Sequence, residues 1–472
     1  MDAISIPRIL AALVCLLSLG AHSLSAAEFR AGAFAMDITP PVDVLLDGTI
    51  MKIGPAKAVH DKLHARCLVL DDGTTKVAIV VNDNTMIERP IHDEAKRIAH
   101  ELTGIPTTHI MLSATHSHST PRAVSIGQGE ANERYHRMMS RKIAEGIKQA
   151  MDRLRPAEIG WGSFEEPRFV HNRRWFFDPR LKTPNPFGET NDVVWMNPAR
   201  GAITKPAGPV DTEVFVLGLR GTDGSPVALL GNYGLHYVGG VPGGNISADY
   251  FGVFANQVAK LLEAPKGFVG IMSNGTSGDV NAVNFKGPRQ RYPAYANMTR
   301  IGKALAEPAV RVFKESKFGS KLNISVAQKE IEFAVRKPDS ARLEWARKVL
   351  AKAPTKGRPT RPVIYAREAL GLAEFPERVK IILQAFRIGD LAIAAIPNEV
   401  FAETGLAIKE ASPFKDTFIV ELANGYSGYL PTRQQHKWGG YETWPARSSF
   451  LEVDAETKIR ATILELLHEL KK

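Results

Sequence analysis

Strand-like apolar runs alternate with helical patterns along most of this 472-residue chain, and this alternation constrains the fold more than any other feature. Short β-branched runs indicate strands, whereas apolar residues that recur every three or four positions indicate amphipathic helices. Elements mixed in this way favour an α/β fold in which mixed β-sheets are flanked by helices. The expected strands are residues 67–70, 77–81, 109–113, 214–219, 227–232, 268–272, 379–388, 392–396 and 418–422, and the expected helices are residues 92–102, 135–154, 249–262 and 455–470.

Two stretches interrupt this pattern. Residues 165–211 are rich in Pro, Asn, Arg and aromatic residues and show no periodicity, and loops of this length are usually functional or mobile. Residues 352–362 are rich in Pro, Lys and Arg and predict an excursion on the surface. The strand and helix pattern continues in the same style on both sides of each, so we expect a single large domain over residues 28–472.

The first 27 residues form a separate segment. Arg8 precedes an apolar run over residues 9–19, and small residues close the segment at 25–27. The run is too short to span a bilayer as a helix, so it is typical of a cleaved secretory signal peptide, with an uncleaved anchor as the alternative. We therefore expect an exported protein, periplasmic or extracellular.

Cysteine content and charge exclude several classes of structure. Cleavage after Ala27 removes Cys15 and leaves Cys67 alone, so neither an internal disulfide nor a Cys-rich zinc site can form. The 60 Lys and Arg residues exceed the 50 Asp and Glu residues without gathering into one long block. We interpret this excess as a solvated basic surface, with peripheral contact to an anionic membrane as the alternative. We expect no nucleic-acid partner, and the sequence leaves the oligomeric state open.

Two histidines follow the strand predicted over residues 109–113. His116 and His118 stand two positions apart, and alternate residues of an extended chain point the same way. Both imidazoles can therefore converge on one point, and neutral imidazole is a common ligand of zinc-like ions. Two solvent-facing loop histidines would give the same pattern, so the pair alone leaves both interpretations open.

Polar residues also follow four other predicted strands. They are His236, the small-residue segment 273–281, Glu399, which we expect to open a helix, and the segment 423–429 with its two tyrosines. Taken singly, each has a structural explanation, such as a loop histidine, a flexible turn or a carboxylate at a helix N-terminus. Together they are typical of a hydrolytic metal site with an open position for water.

These motifs resemble those of the neutral (non-lysosomal) ceramidase family, which cleaves the amide bond of N-acylsphingosine at a zinc ion. The matches follow the family order through most of the chain after residue 27. They are Asp37-Ile38-Thr39, the Ser-Ala-Thr-His-Ser-His segment 113–118, Asn172-Arg173, His236, the Ser-Asn…Gly-Asp-Val segment 273–280, Pro397-x-Glu399, and Ala-Asn-Gly-Tyr-Ser-Gly-Tyr at 423–429.

The resemblance implies a set of site residues. A Zn²⁺ ion would be held by His116, His236, Glu399 and one tyrosine, for which we prefer Tyr429 to Tyr426. His118 would lie beside the substrate and transfer a proton, and Arg173 would face the substrate. The resemblance also implies a catalytic domain over residues 28–472 without the C-terminal β-sandwich domain of longer relatives.

One segment departs from the family pattern. Where family members carry Gly-Asp-Val-Ser-Pro-Asn, this chain reads Gly-Asp-Val-Asn-Ala-Val over residues 278–283, so Asn281 replaces a serine that is important for amide cleavage. An amide side chain can donate a hydrogen bond to an oxyanion, but it cannot act as a nucleophile.

We therefore expect a secreted zinc-dependent hydrolase that uses metal-bound water to cleave a linear amide bond of a small molecule or lipid, as in sphingolipid metabolism. The predicted catalytic residues are His118, Arg173, Asn281 and Tyr429. Two alternatives stay open: a metallo-hydrolase of another ester or amide, and a non-catalytic binding protein. If the site grips an acyl chain, the aromatic residues of segment 165–211 should face it; otherwise they should pack as core. They are Trp175, Phe176, Phe177 and Trp195.

Overall fold

The computed structural model of the chain describes residues 28–42, 44–48, 54–124, 132–181, 183–354 and 356–472. The signal peptide predicted over residues 1–27 lies outside these residues. Within the described ranges, no helix combines the length and the hydropathy that a membrane span requires. The α-helices are α1 Arg89–Thr103, α2 Glu133–Asp152, α3 Asp249–Leu261, α4 Ala296–Glu315, α5 Ser340–Ala351, α6 Arg361–Ala373, α7 Ala402–Ala411, α8 Arg433–Trp438 and α9 Ala455–Lys471.

The strands are numbered along the chain. The first twelve are β1 Arg30–Asp37, β2 Leu46–Asp47, β3 Ala58–Val59, β4 His64–Asp71, β5 Lys76–Asn82, β6 Ile110–Ala114, β7 Thr120–Pro121, β8 Arg155–Glu165, β9 His171–Asn172, β10 Arg174–Phe177, β11 Val194–Met196 and β12 Ile203–Pro206. The others are β13 Glu213–Gly221, β14 Pro226–Tyr233, β15 Asn245–Ile246, β16 Val269–Asn274, β17 Val280–Asn281, β18 Ile324–Ala334, β19 Arg378–Ile388, β20 Leu391–Ala395, β21 Glu399–Val400, β22 Asp416–Val420 and β23 Tyr429–Leu430.

Two mixed sheets form the centre of the fold. The larger has eight strands in the order β16-β14-β13-β8-β1-β4-β5-β6, and the smaller has four in the order β18-β19-β20-β22. Most neighbours are antiparallel, but the outer pairs β14/β16 and β5/β6 of the large sheet are parallel, as is β20/β22 of the small one. The α/β fold with mixed sheets, predicted from the sequence, is therefore confirmed.

Alternation along the strands divides the core into layers. In β5, Ile79 and Val81 pack between the two sheets, whereas Ala78 and Val80 face α1 and α2. In β20, Ile393 packs between the sheets, while Ala392 and Ala394 lie in a core with α9. Helices α3 and α4 cover the β13, β14 and β16 end of the large sheet. Both sheets are thus buried on both faces, which explains why their strands read as continuous apolar runs.

The elements expected from the sequence are present with small shifts at their ends. The hairpin around residues 71–73 is the antiparallel pair β4 and β5. Helix α1 begins three residues earlier than expected and has a proline in its first turn. Backbone N–H groups at that position have no partner within the helix, so the proline costs no hydrogen bond. The long aperiodic stretch differs most, because it contains the three-stranded sheet β11-β10-β12. Its strands of three or four residues are too short to show a period.

Candidate metal centre

The polar strand exits meet where the two sheets join. Strands β6, β14 and β16 of the large sheet and β20 and β22 of the small sheet end at this junction. Backbone hydrogen bonds join the sheets here, from Asn424 N to Leu112 O at 2.7 Å and from Glu421 N to Asn274 O at 3.2 Å. The carboxyl ends of parallel strands are where α/β proteins usually place ligands. The junction therefore brings together the segments that the sequence predicted as one site.

Three imidazoles converge at the junction. One ring nitrogen from each of His116, His118 and His236 lies within 4.8 Å of the others. The Nε2 atoms of His116 and His118 face each other at 3.2 Å, and the ring centroids of His116 and His236 are 4.3 Å apart. His116 and His236 are buried, and His118 is half-buried. The predicted convergence of the histidine pair is confirmed.

Backbone carbonyls fix the orientation of two of the rings. His116 Nδ1 lies 2.8 Å from Thr85 O, and His236 Nδ1 lies 3.1 Å from Ser277 O. A carbonyl oxygen only accepts, so Nδ1 carries the proton in each ring and Nε2 of the neutral ring presents a lone pair. Histidines that bind metals are commonly held this way. His116 also has a left-handed backbone with φ of 69°, a strained conformation typical of functional sites.

Glu399 brings a carboxylate to the same point. Its Oε1 accepts a hydrogen bond from the Tyr426 hydroxyl at 2.9 Å. Its Oε2 is buried and lies 3.2 Å from His116 Nε2, the nearest nitrogen that can carry a proton toward it. A buried carboxylate is stable only when it is paired or binds a metal, and this one faces an imidazole cluster of the kind that holds metal ions.

The prediction that a helix begins at Glu399 was wrong. Glu399 lies in β21, which pairs in parallel with β23 and sets Glu399 opposite Tyr429, and helix α7 begins only at Ala402. The backbone N–H of Glu399 donates to Gly428 O at 3.0 Å. This pairing joins residues about thirty positions apart in the chain, so a local pattern could not predict it.

Burial and nearby charges set the protonation of the cluster. Burial lowers the pKa of His118 and His236 well below the usual range, and the charges of His116 and Arg173 act in the same direction. Both rings are therefore neutral and able to donate a lone pair. Burial also lowers the pKa of His116, but the carboxylate of Glu399 outweighs it, and this pKa is raised overall.

Arg173 lies on one side of the cluster and is fixed by a buried carboxylate. Its Nη1 is 3.2 Å from His236 Nε2, and its Nη2 donates to the Tyr429 hydroxyl at 3.1 Å. Its Nε donates to Glu442 at 2.9 Å, and Glu442 also accepts from Arg174 at 2.5 Å. Burial raises the pKa of Tyr429 well above its usual value, so this hydroxyl stays protonated.

The structure brings five predicted residues together, and the side chain of a sixth, Asn281, bonds to other partners. His116, His118, His236, Glu399 and Arg173 meet directly, with the two tyrosine hydroxyls on Glu399 and Arg173. The preference for Tyr429 over Tyr426 as a ligand stays a prediction, since both hydroxyls reach the cluster.

Asn281 ends strand β17 and is half-buried. Its Nδ2 donates to Asn197 Oδ1 at 2.8 Å, and its Oδ1 accepts from the backbone N–H of Val283 at 2.9 Å. Both ends of the amide are thus used in bonds that shape the turn after β17, which is a common role of asparagine. A catalytic role for Asn281 stays a prediction.

Sequence reasoning missed two buried acidic residues, Glu421 and Glu442. Glu421 accepts hydrogen bonds from Ser277 Oγ at 2.6 Å and Ser277 N at 3.1 Å, and Ser277 in turn holds His236. Burial raises the pKa of Glu421 to about 8. A glutamate inside an apolar strand run was a usable signal for Glu421. Glu442 lies in a segment with neither helix nor strand periodicity, and nothing in the sequence pointed to it.

The donor set fits a zinc ion. Imidazole nitrogens, a carboxylate and a phenol are ligands that zinc accepts in catalytic sites, where usually three protein ligands leave one position open. The facing Nε2 atoms and the buried Oε2 of Glu399 beside them are what such a site presents.

Comparisons with known proteins support the fold. No protein-family model and no curated protein matches the chain. Among solved structures it is similar to the neutral ceramidase from Pseudomonas aeruginosa, with a TM-score of 0.70 and 18% identity over 94% of this chain and 75% of that chain. A structure described as ceramidase complexed with C2 gives a TM-score of 0.71 at the same identity and coverage. The chain thus has a neutral ceramidase-like fold, as the sequence motifs predicted.

Proposed function

We propose that this protein is an exported zinc-dependent hydrolase that cleaves the amide bond of a small molecule or lipid, with N-acylsphingosine-like lipids among the candidates. The observation that carries the proposal is the convergence of three imidazoles with a buried carboxylate. The ceramidase-like fold supports the same function, because it places this cluster at the strand exits.

Four residues would hold the zinc ion: His116, His236, Glu399 and Tyr429. When bound, zinc supplies a Lewis acid that polarises a carbonyl group and brings the pKa of its water to about 7. The hydrogen bonds of His116 and His236 to backbone carbonyls keep both rings oriented. Arg173 Nη1 would have to release His236 Nε2 before that nitrogen could bind the ion.

Arg173 would stabilise the negative charge that develops on the substrate's carbonyl oxygen. Its guanidinium is buried and is held in place by Glu442, so it need not reorganise during the reaction. Fixed charges in such a water-poor site act more strongly than they would in water. The protonated Tyr429 hydroxyl, 3.1 Å from Arg173 Nη2, can donate a second hydrogen bond to the same oxygen.

His118 would transfer a proton to the leaving amine. The ring stacks on Tyr237 with centroids 3.6 Å apart, which fixes its plane. Its Nδ1 is buried and has no hydrogen-bond partner among the described residues, so this atom is available to exchange a proton. Burial lowers the pKa of His118, so the ring starts neutral, and the proton that it gives to the amine would first come from the attacking water.

Metal analysis together with a hydrolysis screen tests the proposal. Protein purified without chelator should contain about one zinc ion per chain, and a chelator should abolish cleavage of N-acyl lipids or model amides. His116→Ala should lose the metal and the activity together, whereas His468→Ala, on the exposed face of α9, should keep both. Hydrolysis that survives complete metal removal would overturn the proposal.

A further inference from the structure

A cavity lies beside the metal centre, and the chemistry proposed above does not use it. It has a volume of about 330 Å³, and its wall includes four aromatic and two basic residues. These are Trp195, Tyr365, Tyr441, Trp444, Arg358 and Arg361. Cavities of this size, mostly apolar with a few polar groups, are where proteins bind small organic molecules.

Tyr441 connects this cavity to the metal centre. Its ring lines the cavity and lies 5.8 Å from the ring of Tyr429, centroid to centroid. Tyr441 directly precedes Glu442, the carboxylate that holds Arg173. A molecule in the cavity would therefore lie one aromatic ring away from the groups that act on the scissile bond.

The cavity wall is built from interlocked aromatic rings. Trp444 packs edge to face against Trp195 at 5.8 Å, Tyr365 at 5.3 Å and Tyr441 at 6.3 Å. Such pairs are rigid and offer flat apolar surface to an occupant. Planar rings gain more from this wall than a flexible chain, since they stack without losing rotamer freedom.

The charge at the cavity is positive and has no counter-charge within the part of the chain that the structure describes. Arg358 and Arg361 are exposed, and neither forms an ion pair there. The Arg361 guanidinium lies 5.3 Å from the Trp195 ring centroid, so it reaches the aromatic wall. No aspartate or glutamate lines the cavity. Two unpaired guanidinium groups favour a carboxylate, sulfonate or phosphate and disfavour a cation.

We propose that this cavity is the substrate-selecting pocket of the hydrolase and binds a planar aromatic group that carries a negative charge, with the charge paired to Arg358 and Arg361. The preferred substrate class is therefore an amide with an anionic aromatic group on one side of the scissile bond. Selection of substrate rests on the proposed function, whereas binding of the anionic aromatic group does not.

Titration calorimetry on the purified full-length protein tests the binding. The probes are 2-naphthalenesulfonate and 2-naphthalenemethanol, which share a ring system and differ in charge. The sulfonate should bind at least about tenfold more tightly than the alcohol. Equal affinities, or no binding of either probe, would overturn the assignment of an anionic ligand.

Paired variants locate the charge. Arg358→Gln combined with Arg361→Gln should weaken sulfonate binding about tenfold or more and leave the alcohol unchanged. Arg347→Gln is the matched control, because it removes one exposed charge from the neighbouring helix α5 and lines no part of the cavity. Circular dichroism should show that all variants remain folded. A double variant that binds the sulfonate like the parent would overturn the proposal.

Inhibition kinetics separate this inference from the proposed function. If both hold, 2-naphthalenesulfonate should raise the KM for a cleaved amide without changing kcat. Sulfonate binding in a protein without hydrolase activity would refute the proposed function and leave the pocket as a binding site. Hydrolysis that the sulfonate does not inhibit competitively would refute the pocket's role in selecting substrate and leave the hydrolase intact.

Discussion

The metal centre and the aromatic cavity beside it are built in opposite ways. The centre stands on strand exits of two buried sheets, and His116 and His236 are fixed by backbone carbonyls. The cavity stands on the short strand β11, which carries Trp195, on the segment around Tyr441 and on the exposed start of α6. The difference teaches that the ends of long buried strands place the metal-binding groups, whereas short and partly exposed segments form the wall of the cavity. Substitutions in the centre should affect metal and turnover, and those in the cavity should affect affinity.

Glu399→Gln should produce the largest effect. The amide keeps the shape of the side chain but loses the charge that faces His116 at 3.2 Å. Metal affinity should fall by at least about 100-fold, because replacing a residue that only orients a metal ligand already lowers metal affinity by about 10–100-fold. Zinc content after dialysis measures this, with Glu410→Gln on the exposed side of α7 as the control. Full zinc retention would remove Glu399 from the ligand set.

His118→Ala should produce the next largest effect. It tests whether His118 transfers a proton or binds the metal. If His118 transfers a proton, kcat should fall by roughly 10²–10⁴-fold while zinc content stays near that of the parent. His118 Nε2 lies only 3.2 Å from His116 Nε2, so His118 is also close enough to be a metal ligand itself. Zinc loss as severe as in Glu399→Gln would show that His118 is a ligand instead.

Trp195→Ala should change affinity rather than turnover. The half-buried ring forms part of the cavity wall, so its removal should raise the KM for an anionic aromatic amide by about tenfold, and kcat should stay within about twofold. Trp345→Ala is the matched control, a half-buried tryptophan that packs on Phe187 and lines no part of the cavity. A large loss of kcat in Trp195→Ala would contradict the claim that the cavity affects affinity and only the metal centre affects turnover.

Asn281→Ser should produce the smallest effect. The side chain is engaged by Asn197 and by its own turn, so kinetic constants should stay within about twofold of the parent. Rates with N-acylsphingosine and with model amides measure this. New or much faster cleavage of N-acylsphingosine would show that position 281 contacts the reacting groups and would extend the centre beyond the residues grouped here.

The sequence predicted most of the sheet framework because its strands are buried on both faces. Apolar runs such as β5 and β20 are short and rich in apolar residues, as expected of strands covered on both sides, and the structure places them in the two sheets. This pattern marked His116, His236 and Glu399 only as polar residues at strand ends, and the resemblance to the ceramidase family implied their roles as ligands.

What the sequence could not predict depends on contacts between distant segments. Strand β21 exists only because it pairs with β23, and the sheet of β10, β11 and β12 has strands too short to show alternation. Tyr441 and Glu442 lie in a stretch without helix or strand periodicity, and only the folded chain brings them beside Tyr429 and Arg173. The cavity is therefore a property of tertiary structure alone.

The central claim is that the strand exits hold a single catalytic metal ion. Anomalous diffraction at the zinc absorption edge, from crystals of protein purified without chelator, tests it most directly. The account predicts one strong peak bonded to Nε2 of His116, Nε2 of His236, the carboxylate of Glu399 and the Tyr429 hydroxyl, with ligand distances of about 2.0–2.2 Å. A fully ordered cluster without any anomalous peak, or a peak only at another place in the molecule, would contradict it.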